Sequence, residues 1–299
     1  MFSFLYELSC RLIRFSGLAS IDRLLFSKRM VTIVMYHNPT PFVFERHMQY
    51  AVRNYQLISM NELLDLIRTG DFSNIKRSAL LITFDDGWKE NFHLLPIFIK
   101  YGIRPVIFLV SGVVNTDRHF WWTHCEPEEI PHFKRLANLK RKETLYHKYK
   151  YHHIVEYPGQ RQALNREEIH EMHPYVDFGY HSHFHPVLTS CSKEEKRSEI
   201  LEGKRIIEHL LGKKVSAFSY PNGNFDDECI ELLKEAGFEL ARTTDAGKNH
   251  SKTNAFRLKV AGVSDKGSVT KFAAELTGIP MFMQYFLYHG SIDGRKRGV

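Results

Sequence analysis

Cysteine is scarce: the 299 residues hold four, Cys10, Cys125, Cys191 and Cys229, and no C-x-x-C pair. That spacing excludes a disulfide scaffold and a cysteine zinc site, and it fits a reducing compartment. Proline (11) and glycine (18) are too few, and hydrophobic residues at 43% too many, for a collagenous, low-complexity or disordered chain. Long apolar runs are missing too. Glu7, Arg11 and Arg14 interrupt the opening segment before it reaches the apolar core of about 7–15 residues that a secretory signal needs. Nothing approaches the ~20 residues of a spanning helix.

Acidic residues are the minority charge, 34 against 41 Lys and Arg, for a net +7. The excess is local. Residues 1–29 carry +3, 131–151 carry +6 and 289–299 carry +2, which leaves the rest of the chain at −4. Basicity therefore belongs to three appendages on a mildly acidic body, and no nucleic-acid partner is expected. The first appendage has helical periodicity: Leu5, Leu8, Leu12 and Phe15 share one face, opposite Ser3, Glu7, Arg11 and Arg14. Two readings stand: a helix packed on the body, or an interfacial helix lying on an anionic membrane.

What the sequence does have is a repeating alternation. Short apolar, β-branched or aromatic runs at 31–36, 79–84, 105–110, 176–180, 215–220, 238–243 and 256–260 predict seven strands. Amphipathic stretches at 42–55, 89–101, 193–211 and 226–236 predict helices between them. Strand alternating with helix is the pattern of a parallel α/β sheet, and seven units suit a barrel. Residues 115–165 interrupt the alternation as an insertion over one end. The expected organisation is an amphipathic N-terminal region at 1–29, a barrel at 30–265, and a C-terminal helix with a basic tail at 266–299.

Polar residues that look misplaced fall at strand C-termini, where α/β barrels build their catalytic face. His37 follows the first strand, Asp85-Asp86-Gly87 the second, His181 the fourth and Asn222-Gly223 the fifth, while Arg242 lies near the end of the sixth. Two adjacent carboxylates point to different sides, so one can bind a cation while the other faces a reacting group. His181-Ser182-His183-Phe184-His185 offers neutral imidazoles for the same ion. Together the segments supply Asp86, His181 and His185 as ligands, with His183 as an alternative, and leave Asp85 free as a general base. That is a hydrolase arrangement. Trp88, Trp121 and Trp122 are expected either to stack on sugar faces or to pack in the core. A haloacid-dehalogenase-type phosphatase is disfavoured, because it needs its aspartates two apart and has no use for the histidines.

The segment 83–87 resembles the T-F-D-D-G motif, and 181–185 the H-S-x-x-H motif, of the polysaccharide deacetylases (carbohydrate esterase family 4, NodB homology). The resemblance runs from about 31 to 263. It implies a distorted (β/α)7 barrel with a divalent metal, usually zinc. It also implies Asp85 as base and Asp86, His181 and His185 as ligands. Two departures accompany it. Where the family places an Arg that orients the base and a Tyr whose backbone N–H holds the oxyanion, this chain has Ser219 and Asn222. Asn222 keeps a backbone donor, and Arg242 is the candidate for the orienting charge. The family's late general-acid His is absent after Phe256. Met35-Tyr36-His37-Asn38-Pro39 instead resembles a branch, including poly-N-acetylglucosamine deacetylases, in which the first strand brings that His. His37 is preferred over His289 because it ends a strand at the rim.

The expected function is metal-dependent hydrolysis of N-acetyl groups on an amino-sugar glycan or lipid-linked sugar. The expected location is cytoplasmic, with peripheral contact at the inner face of an anionic membrane. The alternative is a catalytically silent glycan- or membrane-binding protein that keeps the barrel, an idea to which the missing Arg at Ser219 gives weight.

Overall fold

A computed structural model describes residues 2–280, with side chains from residue 6 onward. The basic tail at 289–299, His289 and the Leu5 side chain lie outside the described residues. Eight parallel strands are present: β1 Val31–Tyr36, β2 Gln56–Leu57, β3 Ala79–Phe84, β4 Val106–Leu109, β5 Asp177–Tyr180, β6 Ala217–Ser219, β7 Leu240–Ala246 and β8 Leu258–Gly262. β1 pairs with β3 along six residues and with β8 at Val34↔Ala261 and Met35↔Gly262. The ring therefore closes as β1-β3-β4-β5-β6-β7-β8, a seven-stranded barrel. β2 stands outside the ring: it pairs with β3 at Ala79 and Leu80, before β4 joins at Thr83.

The seven expected strands are all found, some shifted by two or three residues. The last run opens instead with a 3-10 turn, Ala255–Arg257. The two-residue β2 and the helix Met60–Thr69 were not anticipated. Two residues carry no period, but the helix had a signal: Ser59 and Glu62 form a capping box, and Gly70 ends it in the left-handed region.

Successive strand residues face opposite sides of a sheet, and burial follows that alternation. Ile33, Leu81, Val106, Phe108, Ala217, Leu240 and Val260 pack together inside the ring with Leu63 of helix Met60–Thr69, which plugs its lower end. Val34, Ile82, Ile107, Phe218 and Ala241 face outward onto helices, among them Pro41–Asn54 through Phe44 and Met48. Burial of both faces explains why the strands read as unbroken apolar runs.

The N-terminal helix, Phe2–Phe15, docks on the helix Val269–Glu275, but through a different face from the expected one. Cys10 and Ile13 are buried against Ala274, with Tyr6 beside them. Polar contacts fix this rotation: the Tyr6 hydroxyl donates to Glu275 Oε1 at 3.1 Å, and Arg14 to Thr270 Oγ1 at 2.7 Å. Leu8, Leu12 and Phe15 are left exposed. The segment 115–165 carries the helices Ile130–Phe133 and Asn138–Tyr149 over a small core of Trp121, Phe133, Leu145 and Tyr151. It is tied back to the rim by Leu164 N–H to Gly87 O and Lys89 N–H to Gln162 O, both 2.9 Å.

Candidate active site

The barrel's inward register selects the site residues. On β1 the inward series Ile33, Met35 continues to His37, and on β3 Leu81, Thr83 continues to Asp85. On β6 Ala217 leads to Ser219, and on β7 Leu240 leads to Arg242. Gly179 on β5 leads to His181, and the glycine is required because a Cβ there would meet the inward Phe108 ring at 2.4 Å. Asp86, next to Asp85, would face away on a regular strand. Its positive φ of 71° turns it back toward the mouth. Gly87, at φ +75°, completes that turn, and a Cβ on it would strike Leu109 Cδ2 at 2.5 Å.

Asp86, His181 and His185 converge. The two Nε2 atoms are 3.1 Å apart, and Asp86 Oδ1 lies 3.6 Å from His181 Nε2 and 3.5 Å from His185 Nε2. Ligands of a tetrahedral ion at about 2.0–2.1 Å stand roughly 3.3 Å from one another, so the triangle has the size of a divalent-cation site. This trio is the one group among the described residues with ligand atoms so disposed. The hydrogen bonding agrees. His181 Nδ1–H donates to Ser219 O at 2.7 Å, which leaves Nε2 with its lone pair toward the centre. Among the described residues Asp86 Oδ1 is buried without a hydrogen-bond partner, as suits an oxygen that holds a cation. Burial pushes the Asp86 carboxyl up, against the pull of His37 and His181, and burial with the neighbouring His181 holds His185 well below the ordinary imidazole value. The first shift describes a buried carboxylate short of a compensating charge, and the second keeps His185 neutral, as a ligand must be.

His183 does not share this role. Its Nδ1 meets Ser111 Oγ at 2.9 Å, away from the cluster. The loop is shaped by Ser182 and His185, both at positive φ, and by Glu199, whose Oε2 accepts the N–H groups of His183 and Phe184 at 2.8 Å each. Glu199 was not anticipated. Its signal was a carboxylate on the buried face of a helical stretch that also buries Lys196, Ile200 and Ile207.

Asp85 is held for a different task. Arg242 Nη2 donates to its Oδ1, and Ser219 Oγ donates to the same oxygen at 3.4 Å. Its Oδ2 stands 3.8 Å from His181 Nε2. Burial by itself would raise this carboxyl, but the Arg242 guanidinium, with His181 and His37, outweighs it and holds Asp85 well below the usual carboxylate range. Arg242 is itself buried, its guanidinium carbon 5.2 Å from the Phe108 ring centre. It occupies the inward position beside Ser219, its register partner.

His37 is exposed at the mouth, near enough for its charge to act on both aspartates. Asp265 fixes its backbone, accepting His37 N–H at 3.2 Å and Asn38 N–H at 2.9 Å. Asn222 stands exposed beyond β6 at φ 57°, and its side-chain amide donates to Asn224, not to the cluster. The tryptophans divide. Trp121 is buried and donates to His185 O at 3.1 Å, so it offers no face to a sugar. Trp122 lies 4.4 Å from the His185 ring, and Trp88 Nε1–H donates to Asp86 Oδ2 at 2.9 Å. Both are half-buried walls of the site. Lys134, half-buried and lowered by burial against the pull of Asp86, adds a cation from the insertion.

A closed parallel barrel with an Asp–His–His triangle at its C-terminal rim defines the class. A family model for polysaccharide deacetylase matches residues 73–241. That is over half of the chain, which therefore belongs to the polysaccharide deacetylase family, hydrolases acting on the amide bonds of N-acetyl groups. YxkH of Bacillus subtilis (strain 168), a polysaccharide deacetylase by assigned name, is 23% identical over 234 residues, 77% of this chain and 67% of that protein. Streptococcus pyogenes deacetylase PplD in complex with acetate superposes with a TM-score of 0.62 at 17% identity, over 83% of this chain and 98% of its own. IcaB from Ammonifex degensii gives 0.60 at 18%, over 83% and 97%. At such identities the two structures establish the fold, the (β/α)7 barrel of NodB type.

Proposed function

We propose that this chain hydrolyses the N-acetyl group of an amino sugar in a glycan or lipid-linked sugar, releasing acetate. It would do so with a divalent cation, zinc by preference, held by Asp86, His181 and His185. The observation that carries the reading is the division of labour between neighbouring aspartates: Asp86 faces the two imidazoles with a bare oxygen, and Asp85 is tied to Arg242. When bound, the cation supplies Lewis acidity to the acetyl carbonyl and acidifies water. Asp85 accepts the proton of the water whose oxygen adds to the acetyl carbon. Arg242 and Ser219 aim that carboxylate by fixing its Oδ1. The Asn222 backbone N–H serves the developing oxyanion, a role supported by its place at the end of β6. His37, as imidazolium, gives a proton to the nitrogen as the C–N bond breaks. Acetate and a free amine leave.

The silent-protein alternative drew its weight from the missing Arg at Ser219, and Arg242 removes that ground. The four free cysteines and the basic appendages support a cytoplasmic seat, peripheral at the inner face of the membrane. The test is acetate release by metal-loaded protein from a panel of N-acetylated soluble oligosaccharides and lipid-linked sugars. Release from at least one, abolished by chelation and restored by zinc, is the expected result. A folded protein that holds stoichiometric zinc and releases acetate from none would overturn the reading.

A further inference from the structure

We infer that the exposed apolar face of residues 8–26 is the docking surface through which the chain lies on an anionic lipid bilayer. The inference rests on the peripheral-membrane part of the reading above and gives it a location.

The N-terminal helix spends Cys10 and Ile13 on the body, so Leu8, Leu12 and Phe15, at i, i+4 and i+7, form a stripe in solvent. Gly17, at φ +85°, turns the chain into the short helix Leu18–Ile21 and the π-helical turn Asp22–Phe26. This second segment buries Ala19 and exposes Leu18, Ile21, Leu24, Leu25 and Phe26. Leu24 and Leu25 are each 71% exposed and Phe26 68%. Half of the sixteen large exposed hydrophobic residues among the described ones fall within these nineteen positions. Soluble surfaces rarely concentrate apolar area in this way unless something covers it.

Charge selects the cover. The exposed charged residues of the stretch 7–29 are Arg11, Lys28 and Arg29, all cationic. Of its acids, Asp22 is neutralised by Lys248 at 2.6 Å, and Glu7 is half-buried. Arg14 and Arg23 border the patch, each 5.8 Å from the Tyr50 ring centre. Apolar side chains flanked by cations match an interface with acyl chains below and anionic headgroups around. A second copy would set like charges against each other. The chain's own remaining segment opens with the apolar run Met281-Phe282-Met283-Gln284-Tyr285-Phe286-Leu287-Tyr288 and ends cationic, with Arg295, Lys296 and Arg297 against Asp293. It leaves the described structure just beyond Ile279, which packs on the same Cys10–Ile13 cluster. Its cationic end adds to the attraction for anionic headgroups, and if its apolar run covered the patch instead, the wild-type protein would ignore the vesicles.

The placement also bears on substrate. Glu275 accepts the Tyr6 hydroxyl and, through its other oxygen, the N–H of Ser264, next to the Asp265 that holds His37. The docking helix and the rim at His37 thus share one hydrogen-bonded bracket, which ties the lipid-facing element to the mouth of the barrel.

The test is cosedimentation of full-length, metal-loaded protein with phosphatidylglycerol–phosphatidylcholine vesicles (roughly 1:2) and with pure phosphatidylcholine vesicles. Binding to the anionic vesicles alone is expected. The triple change Leu24→Ser, Leu25→Ser, Phe26→Ser should weaken it on the order of tenfold or more. Lys28→Gln with Arg29→Gln should weaken it severalfold and flatten its salt dependence. Both variants should keep the parent's thermal unfolding and its acetate release from a soluble N-acetylated oligosaccharide. Wild-type protein that ignores anionic vesicles, or a triple variant that binds like wild type, overturns the inference. So does a wild-type dimer in sedimentation velocity that the triple variant abolishes, since that gives the face to a second copy. Intact vesicle binding without acetate release leaves this surface standing and sinks the catalytic reading alone.

Discussion

Ser219 and Arg242 are register partners on adjacent strands, and both donate to Asp85 Oδ1. A small residue on β6 leaves room for a long one on β7, so the guanidinium reaches the carboxylate from the neighbouring strand.

Removing that guanidinium strands a buried carboxylate. Arg242→Met is expected to cut acetate release by at least a hundredfold and to destabilise the metal-free protein by about 3–5 kcal/mol near neutrality. The sign of the pH effect follows from Asp85, whose folded value is depressed in the parent. That stabilisation is present above the unfolded carboxyl value of about 4 and fades as pH falls through the folded one. In the variant the unpaired carboxyl is relieved by protonation. The stability gap should therefore narrow on acidification, as measured by urea unfolding across pH. A gap that widens below pH ~4 contradicts the pairing. The double change Ser219→Arg with Arg242→Ser should recover part of the lost rate.

Asp85 and Asp86 should fail differently. Asp85→Asn keeps stoichiometric metal but loses roughly 10²–10⁴ in turnover, the usual share of a general base. Asp86→Ala loses the metal itself. Elemental analysis beside acetate release separates the two, and full activity in metal-loaded Asp85→Asn would remove the base assignment.

The histidines offer a similar contrast. His185→Ala should release the ion under mild dialysis, whereas His183→Ala should retain it, because His183 is engaged with Ser111. Metal content after dialysis decides, and metal loss from His183→Ala alone would reverse the ligand assignment.

Glu199 makes a prediction at a distance from the reacting atoms. Glu199→Ala unties the N–H groups of His183 and Phe184 and should weaken metal affinity about 10–100-fold. Glu199→Gln, which keeps an acceptor oxygen, should lose much less. Competition with a chelator measures both, and equal affinities for parent and Ala variant would show that the loop holds its shape unaided.

Much of the site was legible because inward side chains recur every second residue and stop at the rim. His37, Asp85, His181 and Arg242 all follow that rule. Asp86 and His185 obey another: both sit at positive φ, a backbone choice set by the turns around them that residue type does not reveal, and only their motifs marked them. Trp121 reads equally as a sugar platform or as a core indole, since an exposed and a buried indole look alike in a sequence, and the structure makes it a buried donor to His185 O. The first helix stays open between two readings for a related reason. Its strongest apolar stripe suits either the core or a membrane, while docking is decided by Cys10, Ile13 and the polar partners Glu275 and Thr270, some 260 residues away in the chain. β2 was lost because two residues have no periodicity.

The Trp121 indole hydrogen bond to the His185 carbonyl carries a consequence for anyone trimming this fold. The segment 115–165 looks removable, a loop added to a complete ring of strands. Yet it grips the backbone of His185, a proposed metal ligand, from outside and presses a second indole against that residue's ring. Excising it would spare the barrel's hydrogen-bonded ring and loosen the proposed ion site. The smallest unit that folds and the smallest unit that works are different lengths of chain.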